Sequence, residues 1–121
     1  MFKNIFSRDK KENSCTNRFA LVDEKQLDDI VQLSMEKPVL IFKHSTRCGI
    51  SGMILNRFEK KIKDLDSDFY IVDVLKNRDI SNLIADRFKI PHQSPQLLYV
   101  KSGKIESYGS HSGVLDVDLK L

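Results

Sequence analysis

The chain has 121 residues, enough for one domain with an ordinary buried core and no cross-links. Hydrophobic residues make up 40% and charged residues 31%, which argues against a disordered or membrane-embedded chain, and no apolar run approaches the roughly 18–20 residues of a spanning helix. Lys and Arg number 20 against 17 Asp and Glu, and the resulting net charge of +3 is too thin and dispersed for a nucleic-acid surface. Neither nucleic acid nor membrane is therefore expected as a partner.

Residues 1–17 are polar, charged and aperiodic apart from Phe2, Ile5 and Phe6, and read as a weakly ordered leader, or a short helix laid on the domain, before a domain over 18–121. Ser7, Arg8 and Asp9 interrupt the apolar stretch a secretory signal would need, so a cytoplasmic location is expected. FALV (19–22) allows a short strand. Asp23 with Gln26 has the form of a capping box, and Leu27, Ile30, Val31 and Ser34 follow at helical spacing until Pro38 ends the element. PVLIF (38–42) is a short continuous apolar run, as in a strand covered on both faces.

Beyond a polar loop, Ile54, Leu55, Phe58, Ile62 and Leu65 form one stripe, with Asn56, Arg57, Lys60, Lys61 and Lys63 between them. That pattern is an amphipathic helix whose apolar side belongs to the core. FYIVDVL (69–75) is rich in β-branched and aromatic residues and predicts a second buried strand. Ile80, Leu83, Ile84 and Phe88 mark another helix, capped by Asn77 or Asp79. PQLLYV (95–100) and IESYG (105–109) flank Ser102-Gly103 and read as a hairpin; VLDVDLKL (114–121) reads as a short terminal helix. Strands joined through helices run parallel and the closing hairpin antiparallel, so the expected architecture is α/β, a mixed central sheet with helices on both sides.

Chemistry concentrates at VLIFKHSTRCGISG (39–52). The two cysteines, Cys15 and Cys48, make no disulfide framework, and neither has zinc-ligand spacing to His44, His92 or His111, so no metal is expected. Cys48 sits where a strand gives way to a helix, where unpaired N–H groups and the positive helix end favour thiolate. Lys43, Arg47 and, if protonated, His44 add positive charge nearby. The plain alternative is a small buried hydrophobe, but Ser45, Thr46, Arg47 and Gly49 are polar or small rather than core-like. Ser51 stands where a second cysteine would complete C-x-x-C; its hydroxyl could hydrogen-bond the sulfur but form no disulfide. Exchange then stops at a mixed disulfide until an outside thiol arrives. Cys15 reads as an incidental thiol, with a resolving role as the alternative. Pro95 lies 47 residues beyond Cys48 at the head of a strand, a position where a missing N–H is tolerated.

The element order, the CxxS motif at a strand-to-helix junction and the Ser-Pro that opens the hairpin resemble the thioredoxin superfamily. FKHSTRCGIS (42–51) together with SPQ (94–96) is similar to the monothiol bacilliredoxins, over roughly residues 19–112. The resemblance implies a thioredoxin-like three-layer α/β/α sandwich and a thiol–disulfide oxidoreductase that removes bacillithiol from S-thiolated client proteins. Cys48 would be the attacking thiol and Pro95 a cis-proline facing it, with Ser94 offering backbone groups to the client. Thr46 flanks the nucleophile, while Lys43 and Arg47 are the candidates to meet the carboxylates of the low-molecular-weight thiol. That thiol would be a co-substrate rather than a bound cofactor, and the protein would act as a monomer. The family commonly has Pro after the cysteine where Gly49 stands here. No carboxylate replaces the buried acid of thioredoxins, whose place falls near Phe42. Two other readings are an iron–sulfur carrier, weakened by Ile50 where CGFS has Phe, and a non-catalytic adaptor on the same scaffold.

Overall fold

The computed structural model describes residues 17–119. Five strands form one sheet: β1 (Asn17–Ala20), β2 (Val39–His44), β3 (Asp68–Asp73), β4 (Gln96–Lys101) and β5 (Lys104–Ser110), in the spatial order β1-β3-β2-β4-β5. β1 and β2 both pair parallel with β3, whereas β4 runs antiparallel to β2 and β5 antiparallel to β4. The parallel pairs need crossovers, and α1 (Glu24–Leu33) and α2 (Gly49–Lys61) supply them; α3 (Arg78–Phe88) links β3 to β4.

Strand alternation sorts the core onto two faces. Val39 and Ile41 of β2, with Leu98 and Val100 of β4, pack against Leu27 and Ile30 of α1 and Ile80 and Ile84 of α3. Leu40 and Phe42, with Leu97 and Tyr99, pack against Ile54, Leu55 and Phe58 of α2 and Val114 of a 3₁₀ helix (His111–Asp116). The result is the expected three-layer α/β/α sandwich with a mixed sheet.

Local signals explain the element ends. Asp23 Oδ1 accepts the Gln26 N–H at 2.8 Å while Gln26 Oε1 accepts the Asp23 N–H at 3.2 Å, the reciprocal capping expected for α1. Ser102 and Gly103 both have positive φ (55° and 76°), as a two-residue hairpin turn with the right twist demands. Their N–H groups donate to Ser34, to its carbonyl at 2.7 Å and its hydroxyl at 2.9 Å, so the end of α1 anchors the hairpin tip.

Three boundaries differ from the sequence expectation. β1 begins at Asn17, inside the segment read as leader; residues 1–16, Cys15 among them, lie outside the described residues. β2 continues past the apolar run through Lys43 and His44, because both keep their register with β3. The terminal helix expected over 114–121 is instead the 3₁₀ turn from His111, with Val117 already extended. Gly109 explains the early turn: a Cβ there would lie 2.5 Å from the Gly113 carbonyl oxygen, so the chain folds back directly on β5.

Candidate thiol site

Cys48 is the N-cap residue of α2, with extended backbone (φ −111°, ψ 115°), and its side chain is exposed and makes no capping bond. Its N–H donates to the Ser45 carbonyl at 3.2 Å, closing the tight loop that leaves β2, and its carbonyl accepts the Gly52 N–H to start the helix. The sulfur therefore stands at the positive end of a 13-residue helix, open to a reaction partner. Exposure excludes the buried-hydrophobe reading. Thr46, Arg47 and Gly49 around it are also exposed, as are Ile50 and Met53 on the first turn of α2.

Ser51 does not serve as the hydrogen-bond partner the sequence suggested for the sulfur. It is fully buried, and its hydroxyl oxygen lies 2.7 Å from His44 Nδ1 and accepts the Ser45 N–H at 3.2 Å. Burial holds the imidazole below its ordinary pKa, with Asp73 pulling the other way, so the neutral ring is favoured. A buried hydroxyl needs an acceptor for its own proton, and Nδ1 supplies one; this network assigns the ring proton to Nε2. Ser51 thus ties the start of α2 to the end of β2 and fixes the loop between them.

The Ser94–Pro95 peptide is cis. Lys43 pairs with Gln96 across β2 and β4, the last pair of that register, so Pro95, the residue before Gln96, lies next to the end of β2 from which the thiol loop leaves. The Pro95 carbonyl accepts the His111 N–H at 2.8 Å, tying this segment to the end of β5. Ser94 Oγ and Gln96 Oε1, one on either side of Pro95, are buried without a hydrogen-bond partner among the described residues. Such atoms are uncommon, and both fall on the segment the resemblance picks out.

Lys43 is placed differently from the expectation. It is fully buried, on the α1/α3 face of β2, and its ammonium donates to the Ser81 carbonyl of α3 at 2.9 Å. Nζ also lies 3.3 Å from His92 Nδ1. It does not stand in the open as a partner for substrate carboxylates; of the two cations proposed, Arg47 alone is exposed. The reason is the strand extension: Lys43 is two residues past Ile41 and shares its inward face. Alternation continued beyond Phe42 assigns the residue to that side of the sheet, but a lysine at a strand end stays inward only because Ser81 and His92, far along the chain, meet its ammonium. Of the residues around Lys43, Ser81 carried no sequence signal, while His92 and Gln96 stood out only as a weighed metal candidate and as part of the SPQ motif, not as partners of a lysine.

The rest of the surroundings are apolar or structural. Phe42 is buried in a ring cluster with Phe58 and Phe69, at centroid distances of 6.2 and 6.3 Å. An aromatic ring rather than a carboxylate therefore occupies that place. His44 and Thr46 line a shallow cleft of about 400 Å³ toward β1, whose Arg18 is paired with Glu59. Among the described residues no three His, Cys, Asp or Glu side chains gather as a metal would require. No helix among them is long and apolar enough to cross a membrane.

The monothiol bacilliredoxin family BrxC matches this chain over residues 19–119. A solved thioredoxin-fold protein described as a candidate oxidoreductase is 29% identical, with a TM-score of 0.74, over 80% of this chain and 85% of its own. The thioredoxin of Schistosoma mansoni superposes with a TM-score of 0.68 at 18% identity, covering 85% of this chain and 91% of its own. That of Malassezia sympodialis gives 0.67 at 20%, covering 83% and 86%; these two likenesses concern the fold. The chain belongs to the monothiol bacilliredoxin family and is a thiol redox protein of thioredoxin fold.

Proposed function

We propose that this bacilliredoxin removes bacillithiol from S-bacillithiolated protein cysteines in the cytoplasm, with Cys48 as nucleophile. The Cys48 thiolate attacks the bacillithiol sulfur of the mixed disulfide. A new S–S bond forms between Cys48 and bacillithiol, the old one breaks, and the client departs as a thiolate that takes a proton from solvent. A second low-molecular-weight thiolate then attacks the Cys48 adduct, restoring Cys48 and leaving as a small-molecule disulfide.

The observation that carries this reading is the pairing of an exposed cysteine at a helix N-cap with a serine three residues on that is buried and bonded to His44. The first supports attack on an external disulfide; the second leaves no internal thiol at that position to resolve it. Ser94 and Pro95 offer backbone groups for the extended chain of a client, in the manner of an added strand. Arg47, exposed beside the sulfur, suits the carboxylates of an anionic thiol. Thr46 borders the same opening. The partners are then S-thiolated clients and the small thiol, taken by a single copy of the chain.

Intact mass after incubation with oxidised bacillithiol tests the reading. Wild type and Cys15→Ala should each gain one bacillithiol adduct, and Cys48→Ala none. An adduct that persists in Cys48→Ala and disappears in Cys15→Ala would reverse the assignment.

A further inference from the structure

Beneath the thiol loop, on the α1/α3 face, a buried ammonium sits without a carboxylate partner among the described residues. Lys43 is fully buried and its polar neighbours are the Ser81 carbonyl at 2.9 Å and His92 Nδ1 at 3.3 Å. The Ser81 hydroxyl lies 3.0 Å from the same imidazole nitrogen. An unpaired buried charge is costly, and a similar-sized apolar side chain would fill the space more cheaply. The residues it touches suggest what the charge is for. His92 and Gln96 bracket the cis peptide, and Gln96 is the direct cross-strand neighbour of Lys43. Gln96 Nε2 donates to the Pro91 carbonyl at 3.1 Å and to the Ser110 hydroxyl at 3.2 Å. The segment 91–95 is therefore gripped at Pro91 by Gln96, at His92 by the Lys43–Ser81 pair, and at the Pro95 carbonyl by the His111 N–H.

We infer that Lys43 is a positioning residue: through His92 it holds the Ser94–Pro95 backbone at the height where a client chain must lie to present its disulfide to Cys48. The ammonium donates into the Nδ1 lone pair of a neutral His92, and the Ser81 carbonyl orients the ammonium. The polar contacts of Lys43 run to Ser81 and His92, so its effect on the exchange passes through the loop. It leads β2 directly toward Cys48, five residues on, so one strand carries both the nucleophile's loop and the support for the opposing segment. This inference rests on the proposed exchange at Cys48 and adds a determinant of client engagement to it.

The test uses the full chain as wild type, Lys43→Met and His92→Leu, the second breaking the same contact from the loop side should the first fail to fold. Amide hydrogen exchange is followed at 92–96. In parallel, two second-order rates are measured at Cys48: with iodoacetamide, and with a peptide whose one cysteine carries bacillithiol. Iodoacetamide needs only an open sulfur, whereas the peptide must also lie along Ser94–Pro95. Misplacing a positioning element by about 1 Å can cost up to about a hundredfold, so the peptide rate should fall about tenfold, with alkylation within about twofold of wild type and faster exchange at 92–96. Unchanged exchange at 92–96 overturns the inference, as does faster exchange with an unchanged ratio of the two rates. A wild type that iodoacetamide alkylates but the peptide disulfide does not would instead defeat the exchange reading itself, and the positioning role with it.

Discussion

The two faces of the sheet are built differently at the same height. On the α2 face, apolar packing reaches the end of β2: Phe42, Phe58, Phe69 and Tyr99 are all buried, and the His44–Ser51 pair follows them. On the α1/α3 face, the apolar cluster of Ile41, Ile84 and Leu98 gives way to Lys43, Ser81, His92 and Gln96. The nucleophile sits at the head of a helix seated on the apolar face, and the cis-proline segment 91–95 is fastened to the polar one. Apolar packing is strong but non-directional, which suits holding a helix in place. Hydrogen bonds are weaker in net terms but directional, which suits orienting a short irregular segment.

The contrast should be plainest in a truncation on the apolar face. Phe58 is fully buried and touches two other rings, so Phe58→Ala should cost about 3–5 kcal/mol in urea unfolding. Where β5 meets the 3₁₀ turn on that face, Gly109→Ala should cost about 1–3 kcal/mol or more. The added methyl would meet the Gly113 carbonyl oxygen at 2.5 Å and a Val117 methyl at 2.7 Å, and backbone cannot simply rotate away. A loss below half a kcal/mol in either variant would mean that this face is looser than drawn.

The opposite face should respond with the opposite sign. Burial lowers the Lys43 pKa from 10.5 to about 8, so between those values the unfolded chain binds the proton more readily than the folded one. The penalty on folding is fully present below pH 8 and fades as pH rises to 10.5. Lys43→Met should therefore stabilise the protein by about 1–3 kcal/mol at neutral pH. That gain should shrink as unfolding is measured at rising pH. A gain that instead grew with pH would show that the ammonium stabilises the fold, and the functional argument for keeping it would weaken.

The smallest effect belongs to the His44–Ser51 pair, which joins the two ends of the thiol loop. Ser51→Ala should cost about 1–2 kcal/mol by leaving His44 Nδ1 and the Ser45 N–H unpartnered. The contribution of neutral His44 is present above its ordinary value of 6.5 and is lost as pH falls through the lowered one. In Ser51→Ala the hydroxyl no longer donates to the neutral ring, so an NMR titration should find His44 protonating at higher pH than in wild type. An unchanged titration would place the ring proton on Nδ1 rather than Nε2.

Much of this was legible in the chain. The Asp23–Gln26 box, the 54–65 stripe and the Ser-Gly turn each depend on residues close in sequence, and each appears at the expected place with small shifts in its ends. Cys48 at the mouth of α2 followed from a strand run meeting a helix stripe, and the cis Ser94–Pro95 bond from the resemblance. The roles of Ser51 and Lys43 were not legible, because each depends on which way a side chain turns once its neighbours are packed. Ser51 can face the sulfur or the core on the same helical turn, and His44 decides for the core. A lysine at a strand end can bend out to water or continue the inward row. The polar atoms of Ser81 and His92, 38 and 49 residues further along, make the inward choice tolerable.

The sequence by itself determined the element order, the placement of one cysteine at a helix start and the serine in place of a second thiol, since periodicity, caps and motif spacing act over a few residues. The tertiary structure alone decided where polar groups point: the buried ammonium under the proline segment, and the serine turned away from the sulfur it was expected to serve. Burial and hydrogen-bond satisfaction are settled between chain-distant partners, and no local pattern encodes a partner that folding has yet to bring near.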